Sequence, residues 1–247
     1  MFLTYASEYC FCVSNKTRDQ FRTFSWPSDK IRALYLGVDS PSPNSEKGKI
    51  RELLNMSPDK ILITNVSAIE FIKGIDTIIK ALAKLKNQYN LDNFHFYHIG
   101  GLRSGALTDA YYEELKQLIQ DLGLTEHFTW LGIRTDVLDI LPAFDIYIQP
   151  SRLEGLPVAI MEACAASLPC IGSDISGIPE IIQNGQNGYV IGPEDINQLA
   201  FHLNELIEDE TRRLEMGNHS QKIFAQNFNI DTQVDRTKQY YHELITR

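Results

Sequence analysis

Two glutamates and the turn between them are the first residues in this sequence whose types and spacing suggest chemistry. Glu154 and Gly155 stand in a loop behind the apolar run 145–149, and Pro157 opens a helical run that carries Glu162 on its second turn. Proline suits the first turn of a helix, where its missing N–H would have no intrahelical partner. The N–H groups after Gly155 then point out from the carboxyl end of a strand. Together with the helix dipole they form a site suited to phosphate. Carboxylates accept the protons of vicinal hydroxyls, so one of the pair is placed for a group beyond the phosphate and the other for a ribose. Two glutamates eight residues apart mean little alone, because charged side chains mostly solvate a surface. Their value comes from the strand, loop and helix that frame them.

The elements that position these residues alternate. The runs 61–66, 94–99, 127–131, 145–149, 169–172 and 188–191 read as buried strands. Apolar spacing predicts helices over 74–89, 108–122, 136–141, 157–167, 178–182, 194–209, 211–226 and 231–246. Strands alternating with helices predict an α/β fold, a parallel Rossmann-like sheet with helices on both faces. The near-continuous apolar character of the strands agrees, since both faces of such a sheet are covered. Ligands bind beyond the carboxyl ends of these strands. That directs attention to the loops after Val66, Ile99, Leu131, Gln149 and Gly172. Ahead of this unit, 9–13, 16–24 and 31–36 read as strand, helix and strand, too little for a core of their own. Residues 40–58, opening with a stretch rich in Pro, Ser and charge, read as a linker, and 59–228 as the main domain.

Composition narrows the function. With 43% hydrophobic and 22% charged residues among 247, the chain matches ordinary folded proteins rather than disordered ones. No apolar run approaches the roughly 18 residues that span a bilayer. The first residues lack the basic start of a signal peptide. A net charge of −9 argues against a nucleic-acid partner and against broad docking on anionic membrane. Cys10, Cys12, Cys164 and Cys170 make no disulfide scaffold. The pair Cys10-x-Cys12 lacks the further ligands of a zinc site. The expectation is a cytoplasmic chain, peripheral at most to the inner membrane face, with no metal and no cofactor. His95 and His98 share one strand and read as core or rim histidines. Gly-x-Gly-x-x-Gly after a strand, Gly-x-Ser-x-Gly and Asp-x-Asp are all missing from the sequence, which disfavours dinucleotide redox chemistry, a hydrolase elbow and a metal-dependent transferase.

The motif set also resembles a family. Pro150-Ser151, Glu154-Gly155 and Glu162-Ala163 are followed by 168–172 (LPCIG), 176–180 (SGIPE) and 187–190 (NGYV), with 131–137 (LGIRTDV) upstream. This order resembles the family-four retaining glycosyltransferases of GT-B architecture, over roughly 9–246. The resemblance implies that 59–228 is their carboxyl-terminal nucleotide-sugar-binding domain and 229–247 a closing helix. Residues 1–39 would be a remnant of the amino-terminal acceptor domain, with 13–16 (VSNK) and 37–39 (GVD) as its last landmarks. By resemblance, Glu154 contacts donor-sugar hydroxyls near the reacting centre. Gly155, Leu156, Pro157 and Val158 line the sugar and diphosphate with backbone, every one but the proline offering an N–H, and Glu162 holds the ribose. Lys73, within 71–74 (FIKG), faces the diphosphate, where a point charge stabilises charge growing on a leaving group. Ile133 and Arg134 lie where the family's backbone holds the base.

Two departures follow. Ser67 and Ala68 stand where the family usually has a Gly-Arg pair, so a cationic clamp lacks one member; Arg103 and Arg152 are the candidates to replace it. The roughly 150 residues that a Rossmann-like half needs are also expected to be missing ahead of residue 1. The closing helix would then present Val234, Tyr240, Tyr241 and Leu244 to a domain that is not there. The function implied is retaining, metal-independent transfer of a hexose from a nucleotide diphosphate sugar to a glycan or lipid-linked acceptor, in bacterial surface polysaccharide synthesis. The alternatives are a nucleotide-sugar-binding module that transfers nothing alone, and a sugar-nucleotide epimerase.

Overall fold

The structure, a computed structural model, describes residues 10–22, 30–103 and 106–246. A small unit comes first: β1 (Cys10–Cys12), α1 (Asn15–Arg22) and β2 (Ile31–Ala33), with β1 and β2 parallel. After α2 (Lys47–Leu53) the main unit begins with β3 (Ile61–Val66), α3 (Ile75–Gln88), β4 (Phe94–Ile99), α4 (Ala106–Asp121) and β5 (Phe128–Gly132). It continues with α5 (Val137–Ile140), β6 (Ile146–Gln149), α6 (Val158–Ala165), β7 (Cys170–Ser173), α7 (Ile178–Ile181) and β8 (Gly188–Ile191). The last three helices are α8 (Ile196–Glu208), α9 (Glu210–Asn227) and α10 (Ile230–Ile245).

The six strands of the main unit pair in parallel in the order β5-β4-β3-β6-β7-β8. The expected α/β architecture is thus present. Parallel strands need cover on both faces, and the sequence supplies it in two core layers. One packs Ile63, Phe96, Ile148 and Ile171 against Ile78, Leu82 and Leu203 from α3 and α8. The other packs Leu62, Tyr97, Tyr147 and Cys170 against Ile160, Cys164 and Phe224 from α6 and α9. Full burial of one such aliphatic side chain is worth about 1.5–3 kcal/mol.

Residues 40–58 are more than a linker, because α2 lies within them. Seven residues form a marginal helix alone; tertiary contacts hold this one. Ile50 is buried, Arg51 donates to the Ala143 carbonyl at 2.8 Å, and Arg51 and Lys47 both pair with Asp145. Asp145 also accepts the Leu62 amide at 2.7 Å, tying α2 to the edge of the sheet's core.

The small unit differs from its sequence pattern at two points. The helix begins at Asn15, and the second strand closes at Ala33 rather than near residue 36. β1 ends at Cys12, whose carbonyl accepts the Leu34 amide at 2.8 Å as the last hydrogen bond between the two strands. Residues 9, 23 and 24 of the expected elements lie outside the described residues. Contacts from α7 and from α10 fix this unit to the rest. Glu180, in α7, accepts from the amides of Asn15 and Lys16 at 2.9 and 2.8 Å and from the Tyr35 hydroxyl at 2.8 Å. The helix α10 crosses back onto the unit: Val38 bridges to Asn229, and the Tyr240 ring lies 5.3 Å from Phe11. Val234 and Tyr241 are exposed, and the Leu244 side chain lies outside the described residues. Among the described residues no helix is long and apolar enough to cross a membrane.

Candidate functional site

The strand order locates a ligand crevice. The connections from β3 run outward through β4 to β5, and those from β6 run the opposite way through β7 to β8. β3 and β6 are neighbours, with Ile63 opposite Ile146. The direction of winding therefore reverses between them, and open α/β sheets bind ligands outside the strand ends at such a reversal. Lys73 follows β3 and Glu154 follows β6. The structure brings them together: Lys73 Nζ lies 2.8 Å from Glu154 Oε1, with side-chain exposures of 19% and 10%.

The backbone holds the two loops against each other. Arg152 donates its amide to the Ile72 carbonyl at 2.7 Å. Gly74 has φ +70°, and a Cβ there would lie 2.2 Å from the Pro150 carbonyl oxygen. Only glycine combines that conformation with so close an approach. It also ends the 3-10 turn Phe71–Lys73 and starts α3, so it sets where the lysine sits.

Beneath the ion pair runs a buried polar network. Glu154 Oε1 accepts from Gln149 Nε2 at 2.9 Å and Ser151 Oγ at 2.8 Å as well as from Lys73. Its Oε2 has no hydrogen bond among the described residues. Gln149 Oε1 accepts from the Tyr147 hydroxyl at 2.5 Å and from Asn65 Nδ2 at 3.4 Å. Asn65 Oδ1 accepts from Ser67 Oγ at 2.6 Å, and Ser67 Oγ lies 3.3 Å from His98 Nε2. The Ser67 hydroxyl already donates to Asn65, so His98 donates from Nε2 and its Nδ1 is a buried acceptor without a partner among the described residues. Burial pushes the His98 imidazole down to about 3, so it is neutral at physiological pH. Burial likewise raises the Tyr147 phenol well above its usual range, with Glu162 and Glu154 adding to the rise. Both glutamates therefore lie within electrostatic reach of the same hydroxyl.

The remaining expected residues follow the carboxyl ends of β4, β5 and β6. The helix α6 starts after Pro157 (φ −74°, ψ 110°), so proline precedes the helix rather than opening its first turn. No side chain among the described residues caps α6 and no acid occupies its first turn, which leaves its dipole and first amides open. Gly155 is open on its Cα side toward Val13, 3.9 Å from where a Cβ would stand; Leu156 is buried and Val158 exposed. Glu162 has no side-chain hydrogen bond among the described residues, and burial raises its carboxyl. Ile133 is 78% exposed and lies against Gly101. Arg134 is held by Asp136 through bonds of 2.8 and 2.6 Å. The two arginine candidates differ sharply. Arg152 is fixed by Asp76 (2.8 and 3.0 Å), Glu194 (2.8 Å) and the Phe71 carbonyl (2.6 Å), and its guanidinium covers the Phe71 ring at 4.0 Å. Arg103 is 75% exposed, with Glu70 at 3.7 Å.

Sequence reasoning missed Gln149, Asn65, Ser67 and the part played by Ser151. A signal was present. Asn65 and Gln149 are polar residues at the carboxyl ends of apolar strands that prove to be the two central neighbours. A buried amide at such a place is stable only when its groups are paired.

Uncapped helix amides, a lysine and two carboxylates follow the two central strands of a parallel sheet, a set of groups suited to an anion and its hydroxyl-bearing appendages. Residues 46–223 match the family described as glycosyl transferases group 1, and the chain belongs to that family. It is 34% identical over 220 residues to an Escherichia coli UDP-Gal:alpha-D-GlcNAc-diphosphoundecaprenol alpha-1,3-galactosyltransferase, covering 87% of this chain and 55% of the relative. It is 27% identical to a Mycobacterium tuberculosis GDP-mannose-dependent alpha-(1-6)-phosphatidylinositol monomannoside mannosyltransferase, covering 89% of this chain and 58% of the relative. HepE from Anabaena, solved in complex with UDP, superposes with a TM-score of 0.88 at 23% identity, covering 96% of this chain and 64% of that one. At that identity the likeness concerns the fold. The chain spans less than two thirds of the length of these proteins.

Proposed function

We propose that the chain binds a nucleotide diphosphate sugar at the Lys73–Glu154 crevice and carries the donor half of a retaining, metal-independent hexosyl transfer. The observation that carries this reading is the meeting of Lys73 and Glu154 at 2.8 Å beside the uncapped start of α6. Lys73 and the amides of Gly155, Leu156 and Val158 take the diphosphate. The free Oε2 of Glu154 takes a sugar hydroxyl, and the unpaired Glu162 takes the ribose diol. The exposure of Ile133 supports a place for the base beside it and Arg134. Arg103 suits the second cation of the clamp better than Arg152, whose guanidinium is already occupied by two carboxylates.

In the transfer, the bond between the anomeric carbon and the β-phosphate oxygen breaks, and its electron pair leaves with the diphosphate. The acceptor hydroxyl oxygen bonds to the same face, and its proton passes to the departing phosphate oxygen. Lys73 and the helix amides stabilise the charge on that oxygen, where such preorganised donors act most strongly. Glu154 orients the sugar and is not assigned as a nucleophile. The named activities of the relatives support a glycan or lipid-linked acceptor in polysaccharide assembly.

Calorimetry with UDP, GDP and their sugars tests the reading. Weak binding of one nucleotide series is expected, lost in Glu162→Ala, with little transfer by this chain alone. No affinity for any of them, or unchanged affinity in Glu162→Ala, refutes it. A donor-transfer assay then separates an enzyme from a binding module.

A further inference from the structure

A second cationic site lies in the small β1–α1–β2 unit. A cavity of about 340 Å³ opens between α1, β2 and α10, within the size of small-ligand pockets, roughly 300–1,000 Å³. Arg18 and Arg22 reach it from α1, Arg32 from β2 and Arg236 from α10, with Tyr35 and Asn15 beside them. Four arginines thus converge from three elements in a chain whose net charge is −9. Among the described residues, Asp19 is shared by two of them, at 2.9 Å from Arg18 and 3.3 Å from Arg22. Glu180 also acts on Arg18, but its hydrogen bonds go to Asn15, Lys16 and Tyr35. Arg236 is braced by the carbonyls of Gln226 and Asn227 at the end of α9, at 3.2 and 3.0 Å. Its guanidinium is therefore held in place without being neutralised by an acid among the described residues.

Guanidinium forks bind phosphate through paired, charge-assisted hydrogen bonds, and arginines from several directions suit a tetrahedral anion better than a planar carboxylate. We propose that this cavity binds a phosphate or diphosphate group. The group belongs either to a soluble compound or to a lipid headgroup; the chemistry recognised is the same. None of the described residues lining the cavity belongs to the Lys73–Glu154 cluster, so the proposal does not depend on the donor reading.

Calorimetry of the intact chain with inorganic pyrophosphate at fixed ionic strength tests it. Uptake should persist in Lys73→Ala. In the Lys73→Ala background, where the donor site no longer contributes, it should fall roughly tenfold or more when Arg18→Gln/Arg22→Gln is added, the loss of one or two charge-assisted contacts. Asp19→Asn, which frees both guanidiniums, should tighten binding several-fold and guards against a misfolded arginine variant. Pyrophosphate affinity unchanged by the arginine pair in that background, or uptake abolished by Lys73→Ala alone, overturns the proposal. Sedimentation with vesicles containing phosphatidic acid identifies the source. Association that is lost in the arginine pair assigns a lipid phosphate, and pyrophosphate uptake without association assigns a soluble one. Loss of UDP binding with pyrophosphate uptake retained refutes the donor reading and leaves this site standing.

Discussion

The ion pair that marks the crevice also competes with the ligand proposed for it, and Glu154→Gln exposes that competition. All three donors to Glu154 converge on Oε1, namely Lys73, Gln149 and Ser151. A glutamine keeps a carbonyl oxygen at that point, so geometry persists and only the charge is removed. At 2.8 Å and an effective dielectric near 20, the gross attraction is ~6 kcal/mol. Most of that is offset by desolvation and by the neutral acceptor that remains, leaving about 1–1.5 kcal/mol. Lys73, relieved of its partner, should then bind a diphosphate about five- to tenfold more tightly. Calorimetry with UDP and GDP checks this, beside Lys73→Ala, which should weaken binding. The sugar nucleotide should gain less than the bare nucleotide, because the amide NH2 that replaces Oε2 no longer accepts the proton of the sugar hydroxyl. The ligand-free variant should also melt earlier, since Lys73 is left as a mostly buried charge, and nucleotide should restore much of the loss. If Glu154→Gln lowers nucleotide affinity as Lys73→Ala does, the lysine is not withheld by the glutamate and the competition does not exist.

Three further outcomes follow from the same geometry. Burial raises the Glu162 carboxyl above 4.5, so the folded chain favours its protonated form; that contribution is complete below the unfolded value and is lost as pH rises through the folded one. Glu162→Gln should therefore raise the urea midpoint at pH 7, with the gain closing as pH falls below about 4.5, while nucleotide affinity drops. A Gly74→Ala side chain would meet the Pro150 carbonyl at φ +70°, costing at least about 2 kcal/mol in a denaturant melt and weakening nucleotide binding through Lys73. Glu180→Ala removes the acceptor for the Asn15 and Lys16 amides and the Tyr35 hydroxyl. About 3 kcal/mol of local stability should go with it, seen as a roughly hundredfold rise in amide exchange across α1 with the main sheet unaffected.

The main domain was legible because its strands carry apolar residues on both faces and its helices keep a helical period; 61–66, 94–99 and 188–191 coincide with β3, β4 and β8 to the residue. The Glu154–Glu162 frame was legible for a related reason, since strand end, glycine turn and proline are local signals. What stayed hidden depends on distant partners. The helix α2 exists because Arg51 and Lys47 find Asp145, 94 and 98 positions further on. No local pattern announces that pairing. Arg152 looked equivalent to Arg103 in sequence. Only the fold reveals that Asp76 and Glu194 close on the first and leave the second in solvent. Gln149 and Asn65 were visible as residues but not as partners. They stand 84 positions apart, and their pairing requires β3 and β6 to be neighbours.

The small unit meets the crevice at the turn ahead of α7. Glu180 binds the first amides of α1, while Gly177, three residues earlier, donates its amide to the Gly155 carbonyl at 2.9 Å. The backbone at Gly177 has φ −84°, which any residue adopts, so glycine is required there by space alone. A Cβ would stand 2.7 Å from Leu156 Cδ1, 2.9 Å from the Gly155 oxygen and 3.2 Å from Ser14 Cβ. The leucine tip can turn aside, but the Gly155 carbonyl and the start of the small unit are backbone-bound and must shift. One glycine and one carboxylate within 177–180 thus set the distance between α1 and the loop after Glu154. Gly177→Ala and Glu180→Ala should therefore not be equivalent. The first forces the two surfaces apart while Glu180 still binds α1, so it should weaken nucleotide binding through the Gly155 loop. The second releases α1 and leaves Gly155 in place, so it should loosen α1 and spare nucleotide affinity. Calorimetry with UDP beside amide exchange over α1 reads both effects, and equal losses of UDP affinity in the two variants would refute that separation.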